Sequence, residues 1–232
     1  MTLSVTLFDT RAAASEAAAA LIATALEADL AAEGSASLMV SGGSTPKRLF
    51  GLLSHADLDW PHVTVGLVDD RWVAPDHPDS NEKLVRTLLL QNKAAGANFL
   101  PLKTSAARPQ EAEADRGAAY APYCTAVSFV LLGMGGDGHT ASWFPGMDGL
   151  ARIVSPDETR CVAAVEASQA VQPLRMTLTG PAVYAAKQAL LLVFGEEKRS
   201  MLRSAPEADP MVCPVRFAID GLGRRLSVYW AP

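Results

Sequence analysis

The chain has 232 residues, 49% of them hydrophobic and 19% charged, with a formal net charge of −5 and an isoelectric point near 5.4. That composition buries a sizeable core without staples and predicts one large domain, or two intimately packed lobes, over 1–232. The acidic balance excludes nucleic acid as the main partner, because phosphate-backbone binding needs a basic face, yet a few local cations and backbone N–H groups can still hold a small anion.

Apolar runs of strand length recur along the chain: SVTLF (4–8), SLMVS (37–41), VTVGLV (63–68), VSFVLLG (127–133), CVAAV (161–165), ALLLVFG (189–195) and LSVYW (226–230). Several are continuously apolar, as expected of parallel strands covered on both faces. Helical segments are expected between them: an Ala-rich stretch over 11–33 striped by Leu21, Ile22 and Leu26, then 47–54, 81–92, 111–124, 180–188 and 196–204. The alternation predicts an α/β fold with a mostly parallel sheet, with 71–81 and 104–111 as loops. No run of about eighteen apolar residues lies free of charges or turn signals, and MTLSVTLFDTR lacks the regions of a secretory signal, so a cytoplasmic protein without membrane contact is expected. Cys124, Cys161 and Cys213 are odd in number, far apart and outside any C-x-x-C, which predicts three small buried thiols and no disulfide framework. The four histidines have no metal-ligand spacing, so no metal site is expected.

Ligands of open parallel sheets lie beyond the carboxyl ends of the strands, so the segments that follow three of these strands carry the functional expectation. In SGGSTPKRLF (41–50) a strand runs into Gly42 and Gly43, and a helix is expected to start with Thr45 or Ser44 as N-cap and Pro46 in the first turn. Close backbone approach, the hydroxyls of Ser41, Ser44 and Thr45, and a helix dipole favour a phosphate there, although a merely capped turn uses the same residues. The motif is not a Walker A loop, so ATP is not implied. In VDDRWVAPDHPDSN (68–81), Arg71 can fork onto a phosphate or carboxylate, and Asp69 or Asp70 can hold that arginine or act as a base. His77 fits a solvated loop residue, and Asn81 the start of the next helix.

The third segment, GMGGDGHTASWFPG (133–146), opens with a match to G-x-G-x-x-G. A dinucleotide-binding turn must open a substantial helix and be followed about twenty residues later by a strand-end acid. Here Pro145 stops any helix too early, and the acids near the right offset, Asp157 and Glu158, sit in the turn-like SPDET. What remains is a tight turn, Asp137-Gly138-His139, whose imidazole suits proton abstraction from water near neutral pH. Arg175, before MTLTGPA, and Lys198, in GEEKRS, are candidate cations for an anion at the Gly-Gly-Ser-Thr turn; Arg199 and Arg203 are expected on the helix surface.

Taken in order, SGGSTP, VDDRWVAPDHPDSN, GMGGDGHTASWFPG, RMTLTGPA and GEEKR resemble the 6-phosphogluconolactonase family, related to glucosamine-6-phosphate deaminase/isomerase. The resemblance implies a Rossmann-like three-layer α/β/α sandwich with no dinucleotide bound, no cofactor and no metal. It also implies hydrolysis of 6-phospho-D-glucono-1,5-lactone in the pentose phosphate pathway by a monomer or homodimer. By position, Gly42, Gly43, Ser44 and Thr45 would form the phosphate turn, Arg175 and Lys198 its cationic partners, and His139 the base, supported by Arg71 and by Asp69 or Asp137. The family's usual Asp-Glu-Arg is Asp69-Asp70-Arg71 here, Ala74 stands where proline is common, and Trp143 where leucine is common. The deaminase branch has an acid where this chain has Phe144, which favours the lactonase branch. A deaminase/isomerase, a non-catalytic sugar-phosphate sensor and a dinucleotide-dependent dehydrogenase are the alternatives.

Overall fold

The computed structural model describes residues 3–168 and 170–232. A seven-stranded parallel sheet forms its centre. The chain enters it at β1 (Thr6–Leu7) and continues through α1 (Arg11–Glu33), β2 (Ala36–Val40), α2 (Lys47–Leu53) and β3 (Val63–Leu67). Next come β4 (Asp69–Arg71), α3 (Asn81–Leu88), β5 (Asn98–Leu100), α4 (Pro109–Tyr120) and β6 (Val127–Leu132). The chain closes with α5 (Leu150–Ile153), β7 (Val162–Glu166), β8 (Leu174–Leu178), α6 (Gly180–Tyr184), β9 (Ala186–Phe194), α7 (Glu196–Ser204), α8 (Val215–Leu222) and β10 (Leu226–Ala231). The strand order β1-β10-β9-β6-β2-β3-β5 makes every neighbouring pair parallel, and β4-β8-β7 form a separate antiparallel sheet.

Helix α1 shows how composition becomes packing. The Thr10 hydroxyl accepts the Ala13 N–H at 3.1 Å to start the helix, and Gly34, at φ 72°, ends it by donating to the Leu30 carbonyl. Ala14, Ala18, Ile22 and Ala25 recur at helical spacing and are buried. Alanines bring the helix axis close to the sheet, so this apolar face buries area with little side-chain entropy lost. The strands β2 and β6 are buried along their whole length, as their unbroken apolar runs require. Tyr120, fully buried, ties the sheet's far edge together: its hydroxyl accepts the Leu67 N–H and donates to the Leu100 carbonyl. No helix among the described residues is long and apolar enough to cross a membrane.

Four expectations change. CVAAV, taken with the parallel strands, is β7 of the small antiparallel sheet; an apolar run records burial and not its pairing partner. The helix expected over 180–188 stops at Tyr184, and residues 186–188 begin β9 beside β6. Neither Thr45 nor Ser44 caps α2; Pro46 occupies the cap position and the helix starts at Lys47, leaving both hydroxyls free. Cys124 and Cys161 are paired as a disulfide with a Cα separation of 5.7 Å, because the turn after α4 meets the start of β7; only Cys213 is a free buried thiol among the described residues. Glu158, weighed as a ribose-binding acid, is an ion-pair partner instead. Arg160 donates to it at 2.6 and 3.0 Å, which holds its carboxyl at about 2, and also reaches Glu113 on α4.

Candidate active site

The strand order reverses beside β2: β3 and β5 lie to one side of it, and β6, β9 and β10 to the other. The segments leaving β2 and β6 therefore diverge, and a crevice opens between them at the carboxyl edge of the sheet. The antiparallel sheet walls it, since β4 continues directly from β3 and pairs with β8 through Arg71 and Arg175. The resulting cleft, of about 200 Å³, is lined by Gly42, Gly43, Ser44, Thr45, Asp69, Arg71, His139, Arg175 and Lys198, together with Ser41, Asn81, Gly133, Met134, Gly135 and Ala141. Of the ten residues given a site role by the resemblance, nine meet there, although they span positions 42 to 198. The exception, Asp137, is not part of the lining but is bonded to His139.

On the β2 side, the two glycines have different reasons. A Cβ on Gly42 would fall 1.9 Å from the Asn81 Oδ1, so only glycine lets α3 approach this turn. Gly43 adopts φ 89°, which side-chain-bearing residues rarely tolerate. Lys198 on α7 borders the same end of the cleft, and its partial burial pulls its ammonium below the usual lysine range.

The Asp69-Asp70-Arg71 segment separates into three roles. Asp69 is buried; its Oδ2 accepts the Ser142 hydroxyl at 2.6 Å and lies 3.6 Å from the Arg175 guanidinium. Arg71 donates to the Asp79 carbonyl at 2.6 Å, whereas its buried Nε has no partner among the described residues. The buried Ser41 hydroxyl is likewise without a partner among the described residues. Arg175 is buried as well, which draws its guanidinium below the ordinary arginine range despite Asp69.

Asp70 does not enter the cleft lining. Its carboxylate accepts the backbone N–H groups of Arg71, Asn81 and Glu82 at 2.7 to 3.0 Å, and the Ser80 hydroxyl at 3.3 Å. With Ser80 Oγ taking the Lys83 N–H, the first donors of α3 are satisfied, and the helix is clamped to β4. Burial, opposed by those N–H groups, pushes Asp70 up to about 6. A carboxyl raised in the folded state holds a proton that the unfolded chain releases, so its contribution to stability is present below about pH 4 and lost as pH rises through about 6. Urea unfolding across this range should show the wild type losing about 2 kcal/mol relative to Asp70→Asn between pH 4 and pH 7. A pH-independent difference would remove Asp70 as the titrating group.

On the β6 side, residues 133–139 close on themselves. Gly138 N–H donates to the Gly135 carbonyl, Gly135 N–H to the His139 carbonyl at 2.8 Å, and Thr140 Oγ1 to the Gly133 carbonyl at 2.8 Å. No helix follows; α5 starts only at Leu150, so the G-x-G-x-x-G turn lacks the helix N-terminus that would receive a pyrophosphate. His139 Nδ1 lies 2.6 Å from Asp137 Oδ1. Burial acts to raise the Asp137 carboxyl, but hydrogen bonds and charge from His139 outweigh it and leave it below the ordinary range. An ionised carboxylate only accepts, so Nδ1 is the nitrogen that carries a proton toward Asp137. The His139 ring also stacks on Phe144, with centroids 4.2 Å apart.

Sequence reasoning missed Ser142 and gave Asn81 only a helix-starting role. Asn81 Nδ2 donates to the Asp69 carbonyl at 2.8 Å, locking α3 to β4. Ser142 is delivered to Asp69 because Ala141 takes the left-handed conformation at φ 52°, and its N–H reaches Thr177 Oγ1 on β8. The one local signal was its place three residues after His139 of the Asp-Gly-His turn. Arg199 is not simply a surface cation, since it packs 4.2 Å over the Trp230 ring and pairs with Glu196. His77 accepts the Asp79 N–H and closes its own loop.

Residues 9–230 match the family model described as glucosamine-6-phosphate isomerases/6-phosphogluconolactonase. The chain is 40% identical to a 6-phosphogluconolactonase of Rhizobium meliloti (strain 1021), over 100% of both chains. It is also 40% identical to a 6-phosphogluconolactonase of Mesorhizobium japonicum, covering 93% of this chain and 90% of the relative. A crystal structure of a 6-phosphogluconolactonase from Shewanella baltica OS155 superposes with a TM-score of 0.94 at 36% identity, covering 100% of this chain and 98% of that one. With a family match that spans almost the whole sequence and a cleft that gathers its motifs, the chain belongs to the glucosamine-6-phosphate isomerase/6-phosphogluconolactonase family.

Proposed function

We propose that this protein hydrolyses 6-phospho-D-glucono-1,5-lactone to 6-phospho-D-gluconate as a single catalytic domain, with the substrate anchored by its phosphate and the water activated by His139. The observation that carries this reading is the meeting, in one cleft, of the Gly42–Thr45 turn and its nearby cations with an imidazole held at Nδ1 by Asp137. The phosphate sits on the N–H groups and hydroxyls of Gly42, Gly43, Ser44 and Thr45, with Lys198 and Arg175 as counter-charges. Nε2 of His139 takes a proton from water as the oxygen attacks the lactone C1, while Asp137 stabilises the imidazolium that forms. Arg71, whose guanidinium lines the cleft, stabilises the negative charge on the carbonyl oxygen, and Asp69 orients Arg175. When the tetrahedral intermediate collapses, the bond from C1 to the ring oxygen breaks, and the imidazolium returns its proton to the departing alkoxide.

Phe144 supports the lactonase branch over the deaminase/isomerase branch, because an aromatic ring cannot carry a proton during ring opening. The test is a lactonase assay corrected for spontaneous hydrolysis, run beside an ammonia-release assay with glucosamine 6-phosphate and a binding titration with 6-phosphogluconate. Lactone turnover without ammonia release is the expected result. Ammonia release would move the protein to the other branch, and product binding without turnover would make it a sensor.

A further inference from the structure

We propose that Phe144 is a positioning residue for His139, its ring fixing the imidazole plane so that Nε2 faces the cleft; this rests on the reading of His139 as the base.

The Asp137–His139 contact cannot hold the imidazole alone. Both residues lie on one short turn, and half of the Asp137 side chain is open to solvent, so the pair is exchangeable with water. The in-plane contact at Nδ1, with Gly135 packed beside the Nδ1–Cε1 edge, does not by itself fix the plane of the ring. Phe144 supplies the missing constraint. The two rings lie 29° from parallel with centroids 4.2 Å apart, a stacked contact that restricts rotation of the imidazole plane.

Phe144 is itself held firmly. Ser142, two residues before it, is fixed to Asp69 and Thr177, and Trp143 is fully buried with its Nε1–H on the Leu178 carbonyl at 3.0 Å. The Arg175 guanidinium packs over the same phenyl ring, 5.0 Å from its centre. The loop is therefore anchored to β8 on one side and offers a rigid ring to His139 on the other.

The ring also separates two spaces. His139 lines the inner cleft and Phe144 does not, whereas Phe144 and Asp137 line a wider outer groove of about 930 Å³ that His139 does not touch. With the ring in place, the stacked face of the imidazole is closed to groove water. Without it, water competes for Nδ1 and Nε2 alike, and the tautomer set by Asp137 is no longer the single populated one.

Phe144→Leu keeps an apolar side chain beneath Arg175 but removes the flat ring, and Phe144→Tyr keeps the ring. For Phe144→Leu, kcat should fall about 10- to 100-fold with KM within about 3-fold, and Phe144→Tyr should recover most of the loss. Nitrogen-15 spectra of the histidines, with His139 assigned by its loss in His139→Asn, should show a single Nδ1–H tautomer in the wild type and in Phe144→Tyr, and a tautomer mixture in Phe144→Leu. Wild-type kcat in Phe144→Leu, or equal impairment of the Leu and Tyr variants with an unchanged His139 spectrum, would overturn the proposal. The spectrum reads His139 without turnover. A His139→Asn enzyme that still turns over removes the base assignment, while the tautomer shift decides the positioning separately.

Discussion

His139→Asn should lower lactone hydrolysis by about 10²- to 10⁴-fold, the range supplied by a well-placed general base. Asparagine keeps a similar reach and can still donate to Asp137, so the turn closed by the Gly135 and Gly138 hydrogen bonds survives. The proposed phosphate end of the cleft is built by separate elements, the β2–α2 turn and α7, and should be untouched. Calorimetric titration with 6-phosphogluconate is thus expected to give nearly wild-type affinity for a variant that has lost turnover. This split is the signature of an interaction made in the transition state and absent from ground-state binding. Turnover that stays near wild type after subtraction of spontaneous hydrolysis would remove His139 from the mechanism and leave Asp69 as the cleft's remaining candidate base.

The second large effect should come from a methyl group. A Cβ on Gly135 would lie 2.2 Å from His139 Nδ1 and 2.6 Å from Asp137 Oδ1, so Gly135→Ala must push the pair out of place. A displacement of about 1 Å in a reacting group costs on the order of 10²-fold in rate, which is the expected loss in kcat, with KM little changed. Gly135 does not occupy the left-handed region, so the backbone accepts alanine and the effect is steric. The neighbouring glycine is the control. A Cβ on Gly136 meets nothing closer than Glu197 Oε1 at 3.8 Å, so Gly136→Ala should retain near-wild-type kinetics and a similar unfolding midpoint. Equal activity in the two alanine variants would show that the turn relaxes at no cost and that the imidazole position is less constrained than its contacts indicate.

These two glycines mark how far the sequence alone can be taken. A G-x-G-x-x-G string states that the backbone needs room, but not what occupies the room. In a dinucleotide fold it is a pyrophosphate. Here a Cβ on Gly135 would strike the histidine that follows the motif.

Much of the layer structure was legible in advance, because it depends on short-range physics. Unbroken apolar runs marked β2, β6 and β9, and the alanine-rich stretch marked α1 from its first residue to its last. Strand partners were less legible, since pairing is decided between segments distant in sequence. The run CVAAV has the same composition whether it joins a parallel sheet or pairs antiparallel with β8. The pairing of Cys124 with Cys161 was hidden for the same reason, as 37 residues of sequence separation carry no information about a 5.7 Å approach in space. The short β4, β5 and α5 lie below the length at which periodicity is informative.

For the site, residue types and their order along the chain were sufficient to single out the cleft's glycines, cations and histidine. The sequence by itself therefore determined the inventory: an α/β chain, a glycine- and hydroxyl-rich turn after the second strand, and an imidazole after a tight turn. Tertiary structure decided the partnerships. It set Asp137 on His139, Asp69 on Arg175 and Ser142, and buried Asp70 beneath the start of α3. An aspartate's chemistry follows from its solvation and from the donors around it, which are supplied by segments up to 106 residues away, as with Asp69 and Arg175.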